Sequence, residues 1–123
     1  MIIEKDRYHS DFYYQKWLAA DKSKNIINVE DIEVNCYEPK YADMADSFWK
    51  SLSEIDNHIQ EVCDEMHRRS SWGEENFFLD LAWIEFHEGG ITIDYWGRTV
   101  NVELGAECTL IDGKWEINNI CYP

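Results

Sequence analysis

Seven apolar residues, Met44, Phe48, Leu52, Ile55, Ile59, Val62 and Met66, recur at spacings of 4, 4, 3, 4, 3 and 4. An α-helix advances about 100° per residue, so these spacings keep all of them on one stripe. A strand would scatter the same residues over both of its faces. The stripe therefore predicts an amphipathic helix of about seven turns, from near residue 41 to about residue 69. Pro39 precedes it, and Ser70, Ser71 and Gly73 follow it as stop signals. Asp43 at its start and Arg68-Arg69 at its end suit the helix dipole.

Beyond residue 77 the period changes to two. Phe78 to Phe86, Ile91 to Tyr95, Arg98 to Leu110 and Lys114 to Ile120 read as strands, separated by Glu88-Gly89-Gly90, Trp96-Gly97 and Asp112-Gly113. Short glycine-containing turns between alternating runs predict hairpins, and hairpins in series predict an antiparallel meander. Ile91, Ile93, Tyr95, Val100, Val102 and Leu104 would line its buried face, with Gly105-Ala106 as a bulge. Before the helix, residues 1–38 are aromatic and irregular. Phe12 to Leu18 fits a short strand or a helical turn, Asp21 to Asn25 a loop, and Ile32, Val34 and Cys36 a half-buried strand. The expected fold is α+β: a single domain over residues 1–123, with one long amphipathic helix packed on an antiparallel β-meander of about four to five strands.

Laid over this core is an unusual charge. The 123 residues carry 25 acidic and 11 basic side chains, for a net charge of −14. Solubility asks only for a magnitude of about 2–8 in a small domain, and the excess works against compaction. A hydrophobic content of 45% with 15% aromatics is too rich for a disordered acidic tail. From residue 81 onward Arg98 and Lys114 face seven acids, so phosphate contacts are starved of cations and nucleic acid is excluded as a partner. An anionic membrane surface is excluded on the same ground, and no apolar run approaches a span of ~18 residues. With charge beginning at Glu4 and no secretory signal, a cytoplasmic location is expected.

Chemistry-bearing motifs are absent. His9, His58, His67 and His87 form no metal-ligand spacing, and Cys36, Cys63, Cys108 and Cys121 contain no C-x-x-C pair. In a reducing compartment the cysteines read as small buried hydrophobes. Gly89-Gly90 lacks the lysine of a phosphate loop, and no G-x-S-x-G nucleophile elbow occurs. No catalytic residue, metal or cofactor is therefore assigned.

Two acidic surfaces compete as binding face. One is the helix back, with Asp43, Asp46, Glu54, Glu61 and Asp64; the bland reading of such a row is a solvated face. The other is the open face of the meander, with Glu85, His87, Thr92, Asp94, Trp96, Asn101, Glu103, Glu107 and Glu116. There Trp96 stands among carboxylates as an apolar anchor, unless it packs under the N-terminal segment. Tryptophan anchors interfaces, while a surround of acids steers a basic partner.

The run Ile91-Thr92-Ile93-Asp94-Tyr95-Trp96-Gly97-Arg98-Thr99-Val100-Asn101-Val102-Glu103, followed by Asp112-Gly113-Lys114-Trp115, resembles small acidic bacterial immunity proteins of toxin–immunity systems. The resemblance implies a compact α+β domain that pairs with a secreted nuclease toxin. The resulting expectation is a non-enzymatic inhibitor that neutralises a basic toxin, with a nuclease favoured, by stoichiometric binding. Asp94, Glu85, Glu103, Glu107 and Glu116 would meet basic groups around Trp96. Two alternatives stand beside it. Tyr8, Tyr13, Tyr14, Trp17 and Trp49 offer an aromatic surface for a self-associating module or homodimer. An enzyme using paired carboxylates would instead need an acid with a strongly raised pKa in a concave site.

Overall fold

The computed structural model describes residues 4–69, 79–98 and 102–121, with the backbone alone over 66–69. Among these residues three α-helices, α1 (Ser10–Ala19), α2 (Ala42–Lys50) and α3 (Leu52–Arg69), with a 3-10 turn at Pro39–Tyr41, accompany six strands. The strands are β1 (Ile26–Val29), β2 (Ile32–Asn35), β3 (Leu79–His87), β4 (Gly90–Gly97), β5 (Glu103–Ile111) and β6 (Lys114–Cys121). They form one sheet in sequence order, β1 to β6. Every neighbouring pair is antiparallel except β2 and β3, which run parallel. The segment joining those two carries α2 and α3, and such a return brings the chain back to the end of the sheet it left.

This corrects the expectation of one long helix on an antiparallel meander of four to five strands. The sheet is mixed and six-stranded, because the Ile32 strand acquires a hairpin partner in β1 and docks beside β3. The helix is interrupted at Ser51, whose φ of −108° and ψ of 8° leave the helical region. Its N–H donates to the carbonyls of both Ser47 and Phe48, at 3.1 and 3.0 Å. Serine at such a position competes for backbone bonds and suits a helix end. The interruption is one residue long and keeps the angular count, so Phe48, Leu52 and Ile55 all remain buried and the periodicity runs on undisturbed. The aromatic segment from Phe12 to Leu18 is helical, inside α1.

All three helices contribute to one core against the inward side of the sheet, where α1 meets β1 and α3 meets β6. Leu81, Ile84 and Phe86 of β3, Ile91, Ile93 and Tyr95 of β4, and Leu104, Ala106 and Cys108 of β5 line that side. Val102 is half-buried; Val100, Asn101, Phe78, the Met66 side chain and the stop residues Ser70, Ser71 and Gly73 lie outside the described residues. No bulge sits at Gly105-Ala106. Register instead shifts between Leu81 and Trp83 on β3, and between Glu107 and Cys108 against β6.

Turn chemistry accounts for the hairpins. Asp112 and Gly113 both have positive φ, 50° and 77°, the pairing that matches strand twist across a two-residue turn. Gly90 meets a different demand, since a Cβ there would come within 2.2 Å of the Cys108 carbonyl oxygen.

The N-terminal aromatics do not form an outer surface. Trp17 lies 5.8 Å from Trp49 in a stacked pair and 4.9 Å from Tyr37 edge-on, and Tyr8 is also buried. The homodimer surface expected from these residues is largely consumed by the core, with Tyr13 and Tyr14 partly exposed. Cys63 and Cys108 are buried as expected, whereas Cys36 and Cys121 are exposed. Among the described residues no helix is long and apolar enough to cross a membrane.

Candidate functional site

The helices occupy one side of the sheet, and no described element covers the other. Strand alternation sends Glu33, Trp83, Glu85, His87, Thr92, Asp94, Trp96, Glu103, Gly105, Glu107 and Glu116 to that outward face. Cross-strand pairing orders them into rows. Glu33 pairs with Trp83, Trp83 with Asp94, and Asp94 with Gly105. One row away, Asn35 pairs with Glu85, Glu85 with Thr92, and Thr92 with Glu107. Trp96 pairs with Glu103 on the opposite flank. Directly paired residues have Cβ atoms about 4.5–5.5 Å apart, so these rows are contact neighbourhoods.

The six residues expected as a binding face thus share one side of the sheet, but not one cluster. Asp94, Trp96 and Glu103 stand together. Glu85 and Glu107 flank Thr92, whose Oγ1 donates to Glu107 Oε1 at 3.0 Å, while His87 Nε2 lies 3.4 Å from the other Glu107 oxygen. Glu116 pairs with Thr109 on the edge strand β6, apart from the Asp94 group. It borders a groove of about 640 Å³ that also involves Ser51, Glu54, Ile55, His58, Lys114 and Trp115. That groove has charges of both signs along its rim. Apart from Lys114 at the β5–β6 turn, no described outward strand position carries a lysine or arginine.

Asp94 departs from its surroundings. It points outward but is only 5% exposed, and its Oδ2 is buried without a hydrogen-bond partner. Its neighbour Trp96 is 43% exposed, so the N-terminal segment does not cover this tryptophan. Burial, reinforced by hydrogen bonding and charge from the Glu103 carboxyl, pushes the Asp94 pKa from 3.8 up to about 7. The side chains of Trp83 and Trp96 oppose this by favouring the charged form. The carboxyl is therefore held at the balance between protonation states near neutrality.

This balance has a stability signature. Folded Asp94 retains its proton to about pH 7, while the unfolded chain releases it near 3.8, so the folded state binds the extra proton between these values. Stability then falls as pH rises through this window, by at most about 1.4 kcal/mol per pH unit. Asp94→Asn is expected to remove this slope and raise the melting temperature above pH 7. Parallel melting curves of both proteins from pH 4 to 8 check it; a constant difference across the range would refute the assignment.

Trp83 and Gly105 join this face without being expected there from the sequence. Leu79 and Leu81 face the core at odd positions, but Ile84 and Phe86 do so at even ones. The bulge between Leu81 and Trp83 absorbs that phase slip and turns Trp83 outward. The slip is legible as a change of phase within one apolar run. The rival acidic surface is weaker than expected: Asp43, Glu54 and Glu61 are exposed, but Asp64 is turned inward, only 4% exposed, and Ser51 divides the row.

A second polar cluster is internal. Arg7 donates from Nε and a terminal nitrogen to the two oxygens of Asp56, at 3.0 and 3.1 Å. Tyr95 Oη donates to Asp56 Oδ1 at 2.8 Å, and Gln60 Nε2 donates to Oδ2 at 2.6 Å. Gln60 also exchanges hydrogen bonds with the Glu4 backbone, and the Leu81 N–H donates to Tyr8 Oη. These bonds lash residues 4–8 to α3 and to β3. At the same end, Arg98 donates to Asp80 and Glu4, and holds the Asp80 carboxyl below its ordinary pKa. The cluster is satisfied from within and offers no open position to a ligand.

Among the described residues no group of three or more His, Cys, Asp or Glu is placed to hold a metal ion. Comparison with protein-family models, curated proteins and solved structures gives no match to this chain.

Proposed function

We propose that this chain is an acidic binding protein that neutralises a basic protein toxin, a nuclease being the partner whose chemistry fits best, by stoichiometric occlusion through its outward sheet face. The observation that carries the reading is an acidic outward sheet face that no described element covers: Asp94 and Glu103 stand beside an exposed Trp96, and Glu33, Glu85 and Glu107 extend the face along neighbouring rows. A nuclease cleft must hold phosphate and is lined by lysine and arginine, so it meets this face with opposite charge. Long-range attraction of this kind raises association toward ~10⁸–10⁹ M⁻¹s⁻¹, and desolvated charge pairs then slow dissociation. The folded sheet supplies a rigid platform, so little ordering cost offsets the contacts.

Immobilised protein, washed in steps from ~50 mM to ~1 M salt, is expected to retain a basic partner at one-to-one stoichiometry and release it as salt screens the charges. The purified partner's catalytic activity is expected to fall to baseline at one equivalent. Glu85→Lys with Glu107→Lys, both at partly exposed positions, is expected to weaken this inhibition by ~100-fold or more, as like charges now face each other. Equal inhibition by the double variant would remove the face from the mechanism.

The raised carboxyl of Asp94 beside Glu103 favours a second reading, general acid–base catalysis, since such a group is poised near operating pH. Turnover of a substrate by the purified chain alone would decide for it.

A further inference from the structure

We propose that the notch around Asp94 seats one arginine side chain of the basic partner, with the guanidinium on the Asp94 carboxylate and between the flanking tryptophans. This rests on the reading of the outward face as a binding surface and names the contact at its centre.

Among the described outward strand residues Asp94 is the acid that is buried; Glu103, Trp83 and Trp96 hydrogen-bond its carboxyl, yet its Oδ2 lacks a partner. A buried carboxylate oxygen without a donor is costly, and the cost disappears when a donor arrives from outside. The sheet leaves room for one. Gly105 pairs directly with Asp94, and a Cβ built on it would meet nothing within 4 Å. The space over Gly105, next to Asp94 in the sheet, is therefore open, while Trp83 on β3 and Trp96 further along β4 flank Asp94 on its other sides. A guanidinium entering over Gly105 reaches the buried Oδ2 as these side chains shift. Glu103, paired with Trp96, supplies a second carboxyl within reach.

Two carboxyls and two indoles suit a guanidinium better than an ammonium. A guanidinium is planar, carries several donors in a fixed fork, stacks on indole faces and is weakly hydrated. An ammonium is a strongly hydrated point charge that forfeits the planar match. The groups around Asp94 are Glu103 and, diagonally, Glu107 from β5, Trp83 and diagonally Glu85 from β3, and Trp96 from its own strand, with Glu33 beyond Trp83. Asp80 beside Trp96 is already neutralised by Arg98, and no described helix packs on this side. Each acid adds attraction for a cation. Because the Asp94 proton must leave before the ion pair forms, binding weakens as pH falls below about 7, by up to tenfold per unit.

The test uses the intact protein and N-acetyl-arginine amide at low salt, reading the indole N–H signals of Trp83 and Trp96 by NMR. Both signals are expected to move saturably, with affinity roughly tenfold above that for N-acetyl-lysine amide. Asp94→Asn is expected to cost about tenfold or more in affinity. Gly105→Val places a β-branched side chain into the open space and is expected to abolish the shifts, while its unchanged far-UV spectrum and melting show an intact sheet. Absence of saturable shifts, equal affinity for the lysine probe, or shifts that survive in Gly105→Val would each overturn the proposal. The arginine probe tests the notch without any toxin. Conversely, an identified basic partner bound equally by wild type and Gly105→Val would retain the acidic face and discard the notch.

Discussion

Asp56→Ala is expected to destabilise the fold by about 3–5 kcal/mol, a large part of the total stability of a domain this size. Asp56 is fully buried, and four donors from three separate segments converge on it: two from Arg7, one from Tyr95 and one from Gln60. Truncating it leaves a largely buried guanidinium without its bidentate partner and strands the Tyr95 hydroxyl in the core. The penalty is that of uncompensated charge and polar groups rather than of lost apolar area. Tyr95→Phe, which removes one neutral donor and leaves the ion pair, is expected to cost only about 1–2 kcal/mol. Arg7→Met combined with Asp56→Leu is expected to recover most of the loss, because both charges leave together. Urea unfolding of the four proteins orders them: a single Asp56→Ala loss under ~1 kcal/mol would mean the pair is solvated and the packing around it loose.

Trp17→Ala is expected to cost about 3–5 kcal/mol for a different reason. Trp17 is the buried residue of α1, 1% exposed, and its ring contacts Tyr37, Trp49 and Phe86 at centroid distances of 4.9, 5.8 and 6.4 Å. These partners lie on three separate segments, so no single one can move to fill the void. Leu18→Ala, next in sequence but half exposed, is expected to change stability by under ~0.5 kcal/mol. The loss from Trp17→Ala is expected to be the same at all protein concentrations, because its contacts are within one chain. A loss that deepened on dilution would instead place this tryptophan at an interface between copies.

The outward face and the internal cluster differ in how far they could be read beforehand. Asp94, Trp96, Glu103 and Glu107 follow from strand alternation, which is a local rule, and the sheet puts each of them outward. Trp83 required recognising that the apolar phase changes between Leu81 and Ile84, a signal contained within five residues. Burial of Asp94 had no local signal: it depends on Trp83 standing beside it on the neighbouring strand, and on register rather than on sequence proximity. Asp56, Gln60 and Asp64 recur every fourth residue along α3, beside the apolar stripe. Their spacing marks a polar flank that is buried here, yet nothing in it reveals that Arg7, 49 residues earlier, supplies the charge for Asp56.

The interruption at Ser51 shows the limit of periodicity from the other direction. Apolar spacing records angle around an axis and is blind to a break that preserves the count. The same limit hid β1, where a four-residue strand, Ile26–Val29, is too short for alternation to stand out from a loop. Its partner β2 and the hairpin turn at Glu30, with a φ of 56°, supply what its own residues do not.

By itself the sequence determined the α+β class, the inward stripe of α2 and α3, the presence of β3 to β6 with turns at Glu88-Gly89 and Asp112-Gly113, and the acidic character of the outward face. Each of these depends on interactions within a few residues or on composition, where backbone period and charge act directly. The break expected at Trp96-Gly97 lies instead inside β4, and the strand expected from Arg98 begins at Glu103, because cross-strand pairing with β3 carries β4 through Gly97. The tertiary structure alone decided the parallel joining of β2 to β3, the enclosure of the N-terminal aromatics and the Arg7–Asp56 pair. It also decided the burial of Asp94 between two tryptophans. These depend on which distant segments become neighbours, and that choice is made by the whole core as it excludes water.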